Sequence, residues 1–261
     1  MRRLVFLLSG LVWLALAARA DETIASAPAD DPFAGAPLPL AEAVRGFAKD
    51  ANRWAFTEEH VELDKKGVVK SRNRSRFDPS QHYDVQWTML EKDGRPATEA
   101  EQKKFRKTRT KQTQRDRKTL GELLDLAHAT EVAGADAATS ITYEVPLRKL
   151  DDSRFPPEKF QVFVRVARTD HCLQSIEVRL REKVRVALVV GVKAAAGRLE
   201  FERVLADAGP AVTKVSATGS ASVLFVPVNA HVEITRSEFK RVTPYDDRFV
   251  VKPGPLRTID F

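Results

Sequence analysis

The chain has 261 residues, with 43 Lys and Arg against 36 Asp and Glu and a formal net charge of +7. That length can bury a full core as one large domain or two small ones. A single cysteine, Cys172, excludes a disulfide within the chain, so packing must hold the fold and Cys172 reads as a small buried strand residue.

Residues 1–20 combine a positive start at Arg2-Arg3, an apolar run over residues 4–17 and the small-x-small exit Ala18-Arg19-Ala20. This is the pattern of a secretory signal peptide, with cleavage between Ala20 and Asp21. The run is shorter than the roughly 20 residues that a spanning helix needs. Asp21, not cysteine, follows the cut, which predicts no lipid attachment there. The address is therefore the periplasm. Losing Arg2, Arg3 and Arg19 leaves 40 basic residues against 36 acidic ones, and a net charge of +4.

Residues 21–37, rich in Ala, Asp and Pro, read as a flexible lead. A single β-rich domain is predicted over 38–245, with a tail over 246–261. Leu40, Val44, Phe47, Ala48 and Ala51 recur at helical spacing. From Trp54 the period becomes two, through Phe56, Val61 and Leu63. Lys65-Lys66-Gly67 is a turn, and residues 68–77 return, which predicts a hairpin. Asp78-Pro79-Ser80 ends it. Tyr83, Val85, Trp87 and Met89 alternate with polar residues as a half-buried strand, closed by Asp93-Gly94.

Residues 98–128 form a basic helical excursion. Lys103, Lys104, Arg106, Lys107, Arg109, Lys111, Arg115, Arg117 and Lys118 face a single acid, Asp116, in that window. Thr98 and Glu101 make a capping box that starts a helix. At about 100° per residue the cations lie on nearly every side. Phe105 is the one large apolar residue between Leu90 and Leu120, so the helix has no face to bury and should project into water. The sharper alternative makes these nine residues an anion-contacting arm for an anionic membrane surface or an acidic partner. Export argues against nucleic acid. Leu120, Leu123, Leu124 and Ala127 then bring the chain back to the core.

The second half alternates most clearly. Ile141, Tyr143, Val145 and Leu147 share one face, as do Phe160, Val162, Val164 and Val166. Ile176, Val178 and Leu180 follow, then Val184 and Val186. Leu199 and Phe201 continue, with a slip of register before Val204. Residues 212–226 and 228–242 complete the set. Short turns favour antiparallel pairing. The prediction is a mainly β (α+β) fold: one large curved antiparallel sheet, a half-open barrel, of eight to ten strands. Its apolar concave face would pack on the N-terminal helix.

No chemical signature accompanies this architecture. His60, His82, His128, His171 and His231 lack metal-ligand spacing. No G-x-S-x-G elbow or Gly-rich phosphate loop occurs. The acidic pairs Glu58-Glu59, Asp151-Asp152 and Asp246-Asp247 read as turns or exposed strand ends. Catalytic residues, metal and cofactor are thus expected to be none.

The stretches Arg76-Phe77-Asp78-Pro79-Ser80, Gln86-Trp87-Thr88-Met89-Leu90, Asp93-Gly94-Arg95-Pro96 with Thr98, residues 176–183 and Gly191-Val192-Lys193 resemble a group of bacterial exported proteins that has no assigned activity. More broadly, the helix over 40–51, Phe56-Thr57, the turn Lys65-Lys66-Gly67 and Val68-Val69 are similar to the periplasmic outer-membrane lipoprotein carriers. That resemblance implies a half-open barrel with a helical lid and lipid chains in the concave face. The basic arm and the tail after Val242 depart from it, and no lipid-contacting arginine is matched. Together these readings predict a non-enzymatic carrier-like protein for a lipid or acylated partner. Its candidate apolar face is Trp54, Phe56, Tyr83, Trp87, Tyr143 and Phe163, with ordinary core aromatics as the alternative reading. The other functional reading is an envelope interaction protein, docking through the basic arm or a sheet edge.

Overall fold

A computed structural model describes residues 32–113, 119–133, 136–149, 156–186, 190–223 and 226–249. The predicted signal peptide, Asp151-Asp152 and the end of the tail lie outside them. The architecture is one open antiparallel sheet of twelve strands with two main helices, α1 (Leu38–Asp50) and α2 (Glu99–Thr113). The strands are β1 (Trp54–Leu63), β2 (Val69–Phe77), β3 (Trp87–Lys92), β4 (Arg95–Pro96), β5 (Thr130–Val132), β6 (Ser140–Glu144), β7 (Phe160–Ala167), β8 (Leu173–Leu180), β9 (Val184–Val186), β10 (Val190–Glu202), β11 (Ala211–Val223) and β12 (Val226–Arg241). They run in the order β4-β3-β2-β1-β12-β11-β10-β8-β7-β6-β5, with β9 on β10. The strands beyond the expected eight to ten are short, at two or three residues for β4, β5 and β9. Such segments are too brief for alternation to mark them.

Strand alternation decides which face is inside. In β7, Phe160, Val162, Val164 and Val166 are buried, while the residues between them are half-buried. Helix α1 lays Leu40, Ala43, Val44 and Phe47 onto this inner face. Phe47 meets Phe201 edge to face at 5.2 Å. Burying a Leu or Phe side chain contributes about 1.5–3 kcal/mol, so this contact anchors one half of the sheet. A short capped helix, α3 (Leu120–Leu123), adds Leu120 to the same cluster, as do Leu124 and Leu126 after it.

Asp50 ends α1 buried. Its carboxylate accepts from the Gly209 amide at 2.8 Å and from Arg241 at 2.7 Å. This ties the helix to β12 and to the turn before β11. A Cβ at Gly209 would collide with the Gly46 carbonyl oxygen, so that close approach requires glycine.

One local expectation is corrected, and the register slip is located. Tyr83 and Val85 are not strand residues, because β3 begins at Trp87. Residues 78–86 instead form a closed turn, in which the Asp78 amide donates to the Gln86 carbonyl at 2.9 Å and the Asp78 carboxylate accepts from Ser80. The slip near Phe201 is a bulge between Glu200 and Phe201, and β10 ends at Glu202.

Candidate binding face

The inner face carries two large apolar clusters and a smaller third one around Val184, Val192 and Ala221. The first lies under α1. The second holds Trp54, Phe56, Trp87, Ala208 and Ala211, with Phe77, Phe105, Val204 and Phe239 packed against it. A β-bulge builds part of it. Between Ala55 and Thr57 the register of β12 skips from Lys240 to Ser237, with Glu238 at φ 55. The extra residue returns Phe239 to the inner face, 5.9 Å from Phe56 and 6.0 Å from Trp54. Arg236 stays on that face too.

Helix α2 covers this second cluster. Its start is capped as predicted: the Glu101 amide donates to Thr98 Oγ1 at 3.4 Å, and Glu101 Oε2 accepts from the Thr98 amide at 3.1 Å. Arg95 and Lys92 also donate to Glu101, and these partners hold its carboxyl far below the ordinary range. Phe105 rests on Trp87 with ring centroids 6.2 Å apart. The expectation of a helix with no face to bury is therefore overturned. Phe105 and Arg109 lie one turn apart, and both point at the sheet.

Arg109 reaches a charged seam among the aromatic rings. Its Nη2 donates to Glu58 Oε1 at 2.8 Å. Arg236 donates from Nε and Nη2 to Glu58 Oε2, at 3.2 and 3.1 Å. All three side chains are under a tenth exposed. Arg109 stacks 4.3 Å from the Trp87 ring centroid, and Arg236 lies 4.2 Å from that of Phe56. These are cation–π contacts in desolvated surroundings. Burial alone would raise the Glu58 pKa. The Arg109 and Arg236 guanidiniums, with His60, outweigh it and hold the carboxyl below its usual range. His60, next along the same face, is pushed down by burial and then by Arg109, which favours the neutral ring.

The predicted site residues separate. Trp54, Phe56 and Trp87 come together as the wall beneath α2, and Tyr143 belongs to the cluster beneath α1. All four are packed, at 3–7% exposure. Phe163 is not on this face: Val162 and Val164 point inward, and Phe163 faces Arg179 on the outside, 5.5 Å from ring to guanidinium. Tyr83 sits in the turn, donates to Asp246 and packs on Tyr245. In the basic set, Lys103, Lys104 and Lys107 are exposed and Arg106 is half-buried. Arg109 is turned inward and does not belong to an exposed anion-contacting surface. The side chains of Lys111, Arg115, Arg117 and Lys118 lie outside the description.

Sequence reasoning missed Glu58 and Arg236. It placed the Glu58-Glu59 pair at a turn or exposed strand end, whereas Glu58 is 1% exposed within β1. The period-two pattern held the clue, since Trp54 and Phe56 put Glu58 on the inside, and Val232 and Ile234 do the same for Arg236. Among the described residues no group of three His, Cys, Asp or Glu side chains is placed to hold a metal. A hollow of about 610 Å³ lies at the far ends of the long strands. Its lining holds the outer-face row Arg179, Ala196, Thr218, His231 and Leu63 together with Leu180, Ala195, Gly219 and Ala230 of the inner face, and none of the six aromatic candidates.

Neither a protein-family profile nor a curated protein sequence matches the chain. Among solved structures, the chain is similar to the crystal structure of a LolA superfamily protein from Nitrosomonas europaea. The two share 14% identity and a TM-score of 0.40, over 83% of this chain and 98% of that one.

Proposed function

We propose that the protein is an exported, non-catalytic binding protein that holds an acyl chain or acylated partner on the inner face of its sheet, with α2 as a movable cover. One observation carries this reading. Phe105 and Arg109 attach α2 over the rings of Trp54, Phe56, Phe77, Trp87 and Phe239, while Lys103, Lys104 and Lys107 face solvent. Lifting α2 uncovers an apolar wall. The outward lysines suit approach to an anionic membrane, where each contributes about 1 kcal/mol. Export rests on the pattern of residues 1–20.

The test is to purify the processed protein from bacteria, extract it with organic solvent and analyse the extract by mass spectrometry. A fluorescent fatty-acid probe is then titrated against the stripped protein. A co-purifying acyl lipid or saturable probe binding is expected. Neither lipid nor probe binding would sink the proposal.

A second reading draws support from the packing of Trp54, Phe56, Trp87 and Tyr143, which fills the inner face. In it the protein is an envelope docking module that uses the basic side of α2. It predicts binding to phosphatidylglycerol vesicles that is lost when Lys103, Lys104 and Lys107 become Glu, with no acyl-probe binding by either form.

A further inference from the structure

His60 on β1 and Asn73 on β2 stand directly opposite each other. Facing residues in an antiparallel pair have Cβ atoms about 5 Å apart. The alternation through Trp54, Phe56 and Glu58 puts both on the inner face. Among the described residues, His60 Nε2 and Asn73 Oδ1 are shielded from solvent and have no hydrogen-bond partner. Unpaired buried polar atoms are rare because they lose water and gain nothing in return. Two of them on neighbouring strands can both be satisfied by a third group placed between them. The neutral form of His60 lets Nε2 donate or accept according to tautomer, whereas Asn73 Oδ1 only accepts.

The surroundings give that third group a direction. Glu62, Val232, Ala217 and Gly197 form the next inner row, and Ala230, Gly219 and Ala195 form the row after it. Apart from Glu62 and Val232 these are Gly or Ala, all half-buried. A chain leaving His60 along this face passes Val232 and then crosses a stretch of small side chains, which ends at the buried cluster of Val184, Val192 and Ala221.

We propose that His60 and Asn73 form a head-group subsite for an uncharged acyl lipid whose head carries a hydroxyl or an amide. This rests on the acyl-binding reading above and narrows it. A hydroxyl donates to Asn73 Oδ1 and still offers an oxygen to His60 Nε2. An ionised carboxylate only accepts, so it would face Asn73 Oδ1 lone pair to lone pair, while Glu58 and Glu62 on the same face are balanced by Arg109 and Arg236. The subsite therefore selects against free fatty acid.

The experiment displaces a fluorescent fatty-acid probe from the processed protein with 1-monooleoylglycerol or with oleate, in wild type, Asn73→Leu and His60→Phe. Far-UV circular dichroism checks that each variant folds. Two hydrogen bonds of ordinary strength predict that the glyceride displaces the probe roughly tenfold better than oleate. Each substitution should bring that ratio towards one, by weakening the glyceride and, for Asn73→Leu, also by relieving the repulsion of oleate. Equal displacement by wild type, or an unchanged ratio in the folded variants, overturns the subsite and leaves acyl binding standing. If a variant fails to fold, the wild-type ratio decides. Absence of probe binding together with absence of any co-purifying acyl lipid overturns both readings together.

Discussion

Glu58→Gln is the sharpest test of the charged seam. The carboxylate is 1% exposed and is the shared acceptor of two buried guanidiniums. Glutamine keeps the shape and one acceptor oxygen but removes the charge that offsets two cations in a desolvated site. Breaking a buried ion pair on one side costs about 3–5 kcal/mol. The retained hydrogen bond places Glu58→Gln at the lower end, near about 3 kcal/mol. For a chain of this size each kcal/mol moves the midpoint by roughly 2–4 °C, so Tm should fall by about 6–12 °C. Urea and thermal unfolding followed by circular dichroism at pH 7 measure it. The triple change Glu58→Met, Arg109→Met and Arg236→Met removes every charge together and should lie within about 1 kcal/mol of wild type. Acid adds a second readout. The folded Glu58 pKa lies below its ordinary 4.5. Its contribution is therefore complete above that value and disappears as pH falls through the lower folded value. Wild type should lose stability more steeply than Glu58→Gln in that window. A loss under about 1 kcal/mol at pH 7, with identical acid profiles, would refute a desolvated ion network.

Other perturbations probe the packing around it. Gly209→Ala drives a methyl into the Gly46 carbonyl and should cost about 1–3 kcal/mol in the same unfolding assay; no change would mean that the turn yields freely. Phe105→Ala removes the ring that α2 rests on Trp87. It should cost about 1–2 kcal/mol and speed amide exchange across residues 99–113, and a lower Tm without faster local exchange would count against a separable cover. Reversing Lys103, Lys104 and Lys107 to Glu should leave stability within about 0.5 kcal/mol, since all three are exposed. Burial pushes the Cys172 thiol up from 9.0, so disulfide reagents should label it more slowly at pH 7 than free cysteine. Labelling as fast as free cysteine would show that the thiol is open.

Where residues interact with near neighbours in sequence, the fold could be read in advance. Leu40, Val44 and Phe47 marked α1, and Thr98 with Glu101 marked the start of α2. Val162 and Val164 marked the inner face, and that same alternation already assigned Phe163 to the outside. Tyr83 and Val85 misled because two apolar residues in a tight turn can imitate two residues of a strand; the turn that fixes them is closed by the backbone bond from Asp78 to Gln86 and by the bonds of Ser80 to the Asp78 carboxylate. Alternation could put Glu58 and Arg236 on the inner face, but local pattern could not pair them. Arg109 and Glu58 are 51 positions apart, and Arg236 is 178 from Glu58. A charged residue among apolar neighbours reads as exposed until its partner is known.

The seam also bears on how firmly α2 can be held. A helix fixed to the aromatic wall by apolar side chains alone could slide, since rings tolerate many positions and dispersion is non-directional. The Arg109–Glu58 bond allows one position. Its desolvation cost nearly cancels its Coulomb gain, so it fixes the register of α2 while adding little net stability. Phe105 supplies the apolar anchor near the middle of the helix, and Lys103, Lys104 and Lys107 spend theirs in water. On the proposed reading, such a segment opens at lower free energy than a lid held by several apolar anchors, and closes back to a single register. A permanent lid would need more apolar anchors on α2, and a free arm would not need Arg109 buried.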